Sequence, residues 1–187
     1  VDGLDVTDEA SVQTCLERLD GRFTTVFVAT GALELGPYRP EKSLRAVDPS
    51  AFAAQFALNA AGPLLVLKHA LRLMPRDVPV QFAALSARVG SIGDNHLGGW
   101  YGYRAAKAAL NQLIHTAAIE VARSHPQSVV VTLHPGTVET NLTRDHRGGH
   151  AAMAPAEAAA HLLTVLDELT PAQTGGFYDW QGKSVPW

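Results

Sequence analysis

The stretch VPVQFAALSARVGSIGDNHLGGWYGYRAAKAALNQLIHTAAIEVARSHPQSVVVTL, residues 78–133, decides how this chain folds. It begins and ends with apolar runs of strand length, VPVQFAAL at 78–85 and SVVVTL at 128–133. Between them, Leu110, Leu113, Ile114, Ala117 and Val121 recur at three- and four-residue spacings, the period of a helix with one apolar face over 101–123. Two nearly continuous apolar strands joined by a helix specify a parallel pair covered on both sides.

The alternation continues in both directions. Residues 8–19 read as a helix with acidic residues at its start, where the helix dipole favours negative charge. FTTVFVAT at 23–30 reads as a strand ended by Gly31, and 49–74 as a long helix capped by Asp48 or Ser50. Residues 154–169 read as a helix with Pro155 near its first position, and 175–180 as a last short strand. The expected architecture is a single α/β domain over 1–187, built on a doubly wound parallel sheet. The polar, glycine-bearing segment 140–153 reads as a mobile loop after the third strand.

Hydrophobic residues make up 47% of the 187 and charged residues 18%, a globular composition with enough chain for one core. A net charge of −3 without a basic cluster argues against nucleic acid as a partner. Cys15 is the only cysteine, which excludes an internal disulfide and points to a cytoplasmic setting. No uninterrupted apolar run approaches the roughly 18 residues of a membrane span, so no membrane partner is expected. His146 and His150 are four apart, but Gly148 and Gly149 between them argue against a helical ligand pair, and no metal is expected.

Ligands of open α/β sheets lie beyond the carboxyl ends of the strands. Three such ends are Ala29-Thr30-Gly31, Ser86-Ala87-Arg88 and His134-Pro135-Gly136. His134 there either lines a pocket or packs as a structural histidine, and Trp100 and Tyr101 either shape a substrate site or pack. The apolar face of the 101–123 helix runs back from Leu110 through Lys107 to Tyr103. One turn apart, the two side chains are neighbours. An ammonium group beside a phenol lowers its pKa from about 10, which suits proton transfer near neutral pH. Taken alone, the pair also fits a core-edge aromatic and a snorkelling lysine. In the long helix, Asn59 falls on the stripe of Phe52, Phe56, Pro63 and Leu67. Pro63 has no N–H for the Asn59 carbonyl and pushes it aside, so a kink is expected there, with a water on the freed carbonyl.

Tyr103-Arg-Ala-Ala-Lys107, followed by AALN, resembles the YxxxK signature of the short-chain dehydrogenases/reductases. Asn59 with Ala60-Ala61-Gly62 resembles that family's helix asparagine, and Asp5-Val6 its adenine-contacting pair. Ala29-Thr30-Gly31 stands where the family has Asn-Ala-Gly, and Pro135-Gly136 with Val138 and Thr140 resembles its PGxxxT segment. SARVGSIGDN, GGWYGYRAAK and GGFYDWQGKSVPW resemble the branch that includes C-factor and sniffer-type carbonyl reductases. The resemblance implies a Rossmann-like fold, NADP or NAD as cofactor, and hydride transfer between nicotinamide and a small-molecule carbonyl or alcohol. It makes Tyr103 the proton donor and Lys107 the group that lowers its pKa and bonds the nicotinamide ribose. Asn59 holds a relay water, a serine orients the carbonyl, and Asp5, Val6, Ala29, Thr30, Gly31, Pro135, Gly136, Val138 and Thr140 contact the cofactor.

Two departures qualify the resemblance. The family opens with a strand, a TGxxxGxG turn and a helix whose N-terminus takes the pyrophosphate. These 187 residues contain no such turn, and VDGLDVTDEA reads like the middle of a protein, so a fragment lacking the first βαβ unit is expected. Such a fragment is expected to bind cofactor poorly or not at all and to be inactive by itself, and the NAD or NADP preference is not legible in it. Alignment also puts Ala87 on the family's serine. Ser86 is the candidate in its place, with Ser91 nearby, although successive strand side chains point oppositely. The helices 49–74 and 101–123, with Ala105, Ala109, Ala117 and Ala118, imply a homodimer by family precedent. The alternatives are a non-catalytic binding or signalling protein on the same fold, and a lyase or epimerase using the Tyr–Lys pair.

Overall fold

A computed structural model describes residues 3–140 and 152–187. Strands β1 (Thr25–Val28), β2 (Val80–Leu85), β3 (Ser128–His134) and β4 (Phe177–Asp179) pair side by side in that order, every pair parallel. Helices α1 (Glu9–Glu17), α2 (Pro49–Phe56), α3 (Gly62–Ala70), α4 (Tyr101–Ser124) and α5 (Pro155–Glu168) form the crossovers and the outer layers. β1, β2 and β4 are shorter than the runs that announced them, and β3 extends one residue past its run to His134. Phe23, for example, lies outside β1 and donates its N–H to the Leu73 carbonyl at 2.9 Å, tying the run to the end of the long helix.

The sheet is covered on both faces, as continuous apolar strands require. Phe82, Ala84, Val28 and Val130 face a core shared with α1, α3 and α4, through Val12, Leu67, Leu110 and Ile114. Ala83, Val129, Val131 and Leu133 face Leu162, Val165 and Leu166 of α5. The period-two alternation of a strand thus sends neighbouring residues of β2 and β3 into different cores. Asp48, not Ser50, caps α2, with its carboxylate accepting from the N–H groups of Ser50 and Ala51 at 2.7 and 2.9 Å.

The helix from Pro49 continues past Asn59 without a break. Residues Ala57–Ala61 widen into one π turn, in which the Gly62 N–H reaches back five residues to the Ala57 carbonyl. Because Pro63 has no donor for Asn59, the backbone takes in an extra residue at this turn and resumes as α3. The run Pro49–Leu73 is, by length and composition, apolar enough to cross a membrane, with 25 residues and a mean hydropathy of 1.4. Here 44% of its most apolar window is buried inside the fold. His146 and His150 lie outside the described residues.

Candidate active site

A cleft of about 1080 Å³ opens at the carboxyl ends of β1, β2 and β3, where parallel sheets present their ligands. Tyr103 and Lys107 form one wall, on the first two turns of α4. They are buried, at 7% and 2% exposure, because they continue the face that Leu110 and Ile114 carry into the core. Lys107 Nζ lies 5.8 Å from the centre of the Tyr103 ring and donates to the Leu85 carbonyl at 2.8 Å. Gly90 makes this approach possible. A Cβ there would lie 2.9 Å from the carbonyl carbon and Cβ of Lys107, so the turn after β2 rests directly on α4.

The electrostatics differ from the expectation that Lys107 lowers the Tyr103 pKa. Burial pushes the Tyr103 phenol up to about 12 and the Lys107 ammonium down to about 8. Both groups have lost water, and each loss favours the neutral form. The lysine directs a proton at the Leu85 carbonyl.

Asn59 is fully buried, and its side chain works harder than its place beside Pro63 suggested. Its Oδ1 accepts from the Ala32 N–H at 3.2 Å, while Nδ2 donates to the Ala32 carbonyl at 2.9 Å and to Gln55 Oε1 at 2.6 Å. Gln55 in turn donates to the Leu33 carbonyl at 2.8 Å. The π turn therefore clamps the loop after β1 against α2. Gly31 sits in the clamp, where a Cβ would lie 2.9 Å from Asn59 Oδ1 and 3.3 Å from Lys107 Nζ. Gly31→Ala is expected to displace one of these two groups. Catalytic efficiency should fall about tenfold or more while the fold persists, as measured by steady-state kinetics beside circular dichroism.

Ala29, Thr30 and Gly31 line the cleft from β1, and Ser86 and Ala87 from β2. Ser86 Oγ and Thr30 Oγ1 are enclosed and have no hydrogen-bond partner among the described residues. Ser91 is elsewhere, its hydroxyl accepting from the Asp94 N–H at 3.1 Å in the following turn. His134, Pro135, Gly136, Val138 and Thr140 line the third side. Gly136 has φ +76°, and a Cβ on it would meet the Trp180 ring at 2.9 Å, so this turn requires glycine. Asp5 and Val6 do not reach the cleft. The Asp5 carboxylate accepts from Thr7 N and Oγ1 at 2.8 and 2.7 Å, which holds it below the usual carboxylate range. Val6 packs on Gly62 at the π turn, leaving no room there for a Cβ.

Sequence reasoning missed Glu41. It is buried, and its Oε2 accepts from the Gly102 N–H at 3.1 Å while its carbonyl accepts from the Trp100 N–H at 2.6 Å. It caps α4 just before Tyr103 and lets Trp100 hold a left-handed φ of 52° as the helix starts. Capping signals are read within a few residues of a helix, and this one comes from sixty residues away. Trp100 also lines the cleft, its ring edge-on to Tyr103 at 6.4 Å.

Helices on both faces of a parallel sheet, with a buried Tyr–Lys wall at its carboxyl edge, are the frame of a dinucleotide-fold oxidoreductase. A family model described as enoyl-(acyl carrier protein) reductase matches residues 3–174. The chain belongs to the short-chain dehydrogenase/reductase family of oxidoreductases, in a C-factor-like branch. It is 32% identical over 188 residues to 1-hydroxy-2-glutathionyl-2-methyl-3-butene dehydrogenase of Rhodococcus, covering 99% of this chain and 79% of that protein. It is 37% identical to the C-signal of Myxococcus xanthus, covering 75% of this chain and 81% of that protein. Among solved structures, a short-chain dehydrogenase/reductase of Burkholderia multivorans with bound NADP aligns with a TM-score of 0.80 at 29% identity, over 98% of this chain and 75% of that one.

Proposed function

We propose that the protein is an NAD(P)-dependent reductase of small carbonyl compounds, working in reverse as an alcohol dehydrogenase, with Tyr103 as its proton donor and acceptor. The observation that carries this is the burial of Tyr103 and Lys107 side by side on the wall of the strand-end cleft, across from an enclosed, unpartnered Ser86 hydroxyl. The dehydrogenase name of the Rhodococcus relative and the NADP in the Burkholderia structure support it.

The cleft fits a dinucleotide in two respects. Gly31 leaves no room for a side chain between Asn59 and Lys107, and Thr30 offers an unpaired hydroxyl beside it. Ala29, Thr30, Gly31, Lys107, Pro135, Gly136, Val138 and Thr140 would hold the nicotinamide half. Asp5 and Val6, which lie outside this cleft, would serve only an adenine end that extends beyond it. When bound, the cofactor supplies or takes up the hydride. The residues of this chain do the rest. A phenol held near 12 stays protonated at neutral pH, and it can still protonate an alkoxide, whose basicity is nearer that of hydroxide. Lys107 leaves a positive charge beside the phenolate that forms. Asn59 fixes the loop through its side chain and carries a water on its carbonyl. Ser86 orients the substrate oxygen.

The test is the complete gene product with NADPH or NADH and 4-nitrobenzaldehyde, followed at 340 nm. Aldehyde-dependent oxidation of either coenzyme is expected. Failure with both coenzymes, and of alcohols to reduce NAD or NADP, would overturn the assignment. We further propose a cytoplasmic homodimer. Phe56 on α2 and Ile119 on α4 remain 47% and 53% exposed, and Ala105 on α4 is exposed as well. Ala118 is fully buried in the protomer core, so it cannot belong to that face. Light scattering at the mass of one chain would refute the dimer.

A further inference from the structure

His134 ends β3 at the cleft wall, and its sequence neighbours alone did not say whether it packs or binds. Leu85 pairs with Leu133, and the Ser86 N–H donates to the Leu133 carbonyl at 2.8 Å. Ser86 and His134 therefore stand side by side on adjacent strands, about 4.8 Å apart. Strand alternation gives both side chains the face of Phe82, Ala84 and Val130, which is the face packed on α4 and its Tyr103–Lys107 wall. Ser86 Oγ and His134 Nδ1 are both enclosed and, among the described residues, both unpartnered. The Ser86 hydroxyl asks for an explanation, because it forfeits the hydrogen bond it made in water, whereas the enclosed Nδ1 of His134 marks the ring nitrogen that has no partner for a proton.

Burial, reinforced by the charge of Arg88 and opposed by Asp179, holds the imidazole down to about 4, so the ring is neutral at physiological pH. A neutral imidazole has one N–H. A buried N–H without an acceptor is rarer than an unused lone pair, which puts the proton on Nε2. His134 is then a single donor on the cleft wall. Next to it, Ala87 presents a methyl group where the family carries a hydroxyl.

We propose that His134 is a substrate-binding residue of this cleft, and that its Nε2–H and the Ser86 hydroxyl together hold the oxygen of the carbonyl substrate in place of a hydroxyl at position 87. The pair shares one acceptor, so the site needs no second polar group on the substrate. Arg88 and Asp94 on this wall pair with each other at 3.3 Å, Arg104 donates to the Gly99 and Val89 carbonyls, and Val89, Leu97 and Leu162 are apolar, which favours an uncharged aromatic or aliphatic carbonyl. This inference rests on the oxidoreductase assignment above, and its test separates the two.

The complete gene product is assayed with NADPH and 4-nitrobenzaldehyde as wild type, His134→Leu and His134→Asn. His134→Leu is expected to lose about 10- to 100-fold in kcat/KM for the aldehyde, with the KM for NADPH unchanged, and His134→Asn to recover part of that loss through its amide donor. Aldehyde kcat/KM within twofold of wild type in His134→Leu, or equal losses for aldehyde and NADPH, would overturn the proposal. A second measurement does not depend on turnover. Long-range proton–nitrogen spectra of the imidazole in the unmodified protein should show the Nε2–H form and a shift on titration with 4-nitrobenzaldehyde. An Nδ1–H form, or a resonance unmoved at saturating aldehyde, overturns the role of His134 even if the enzyme is active. An inactive wild type whose His134 resonance does shift leaves the aldehyde contact standing and removes the oxidoreductase assignment.

Discussion

Lys107→Met should give a protein that melts higher and turns over about 1,000-fold more slowly. The two effects have one cause. At neutral pH the folded protein holds an ammonium group at 2% exposure, with its pKa brought from 10.5 to about 8 by burial. The unfolded chain binds that proton more tightly at every pH between the two values. Lys107 therefore destabilises the fold fully below pH 8, by about 3 kcal/mol, and the penalty fades as pH rises from 8 to 10.5. A methionine of similar shape removes the penalty but also the hydrogen bond to the Leu85 carbonyl, worth about 1 kcal/mol. The net gain of about 2 kcal/mol corresponds to a rise of about 6 °C in Tm at pH 7. The gain should shrink at pH 10, where the wild-type lysine is neutral. Activity falls because the phenolate loses its only close buried cation among the described residues, a loss on the scale of general acid–base catalysis. Scanning calorimetry at pH 7 and pH 10, beside steady-state rates, checks both halves. A variant that melts lower at pH 7 would show that the lysine is not held as a strained charge.

Tyr103→Phe should cut carbonyl reduction by about 1,000-fold or more and leave stability within about 1 kcal/mol. The ring stays in place against Trp100, and only the hydroxyl is removed. Because the phenol sits near 12, wild-type reduction should be insensitive to Tyr103 titration at neutral pH, whereas alcohol oxidation, which needs the phenolate, should rise with pH. Retention of turnover by Tyr103→Phe within tenfold would remove Tyr103 from the chemistry. Unchanged rates together with an altered carbonyl KM would recast it as a binding group.

These two variants test opposite ends of one physical trade. Burial is what puts Tyr103 and Lys107 within reach of a substrate and away from water, and burial is also what shifts both groups toward neutrality. Spacing on a helix shows that two side chains are neighbours. It does not show how much water they keep, and that quantity set the direction of the Tyr103 shift. The same limit explains Asn59. Its position four residues before Pro63 correctly marked an irregular turn, but its amide clamp on Ala32 joins residues 27 apart and leaves no local trace.

The order of helices and strands, the parallel pairing, the covering of both faces and the placement of Tyr103 and Lys107 on an inward face were all written in local period and apolarity. Those properties depend on residues a few positions apart, so the sequence alone determines them. Tertiary structure alone decided what the buried polar atoms touch. It set the Asn59 clamp, turned Lys107 to the Leu85 carbonyl, brought Glu41 to cap α4, chose Ser86 over Ser91 for the cleft, and stood His134 beside Ser86. Hydrogen bonds and desolvation act through space and with direction. Their partners come from distant parts of the chain and become known only when the strands and helices are packed.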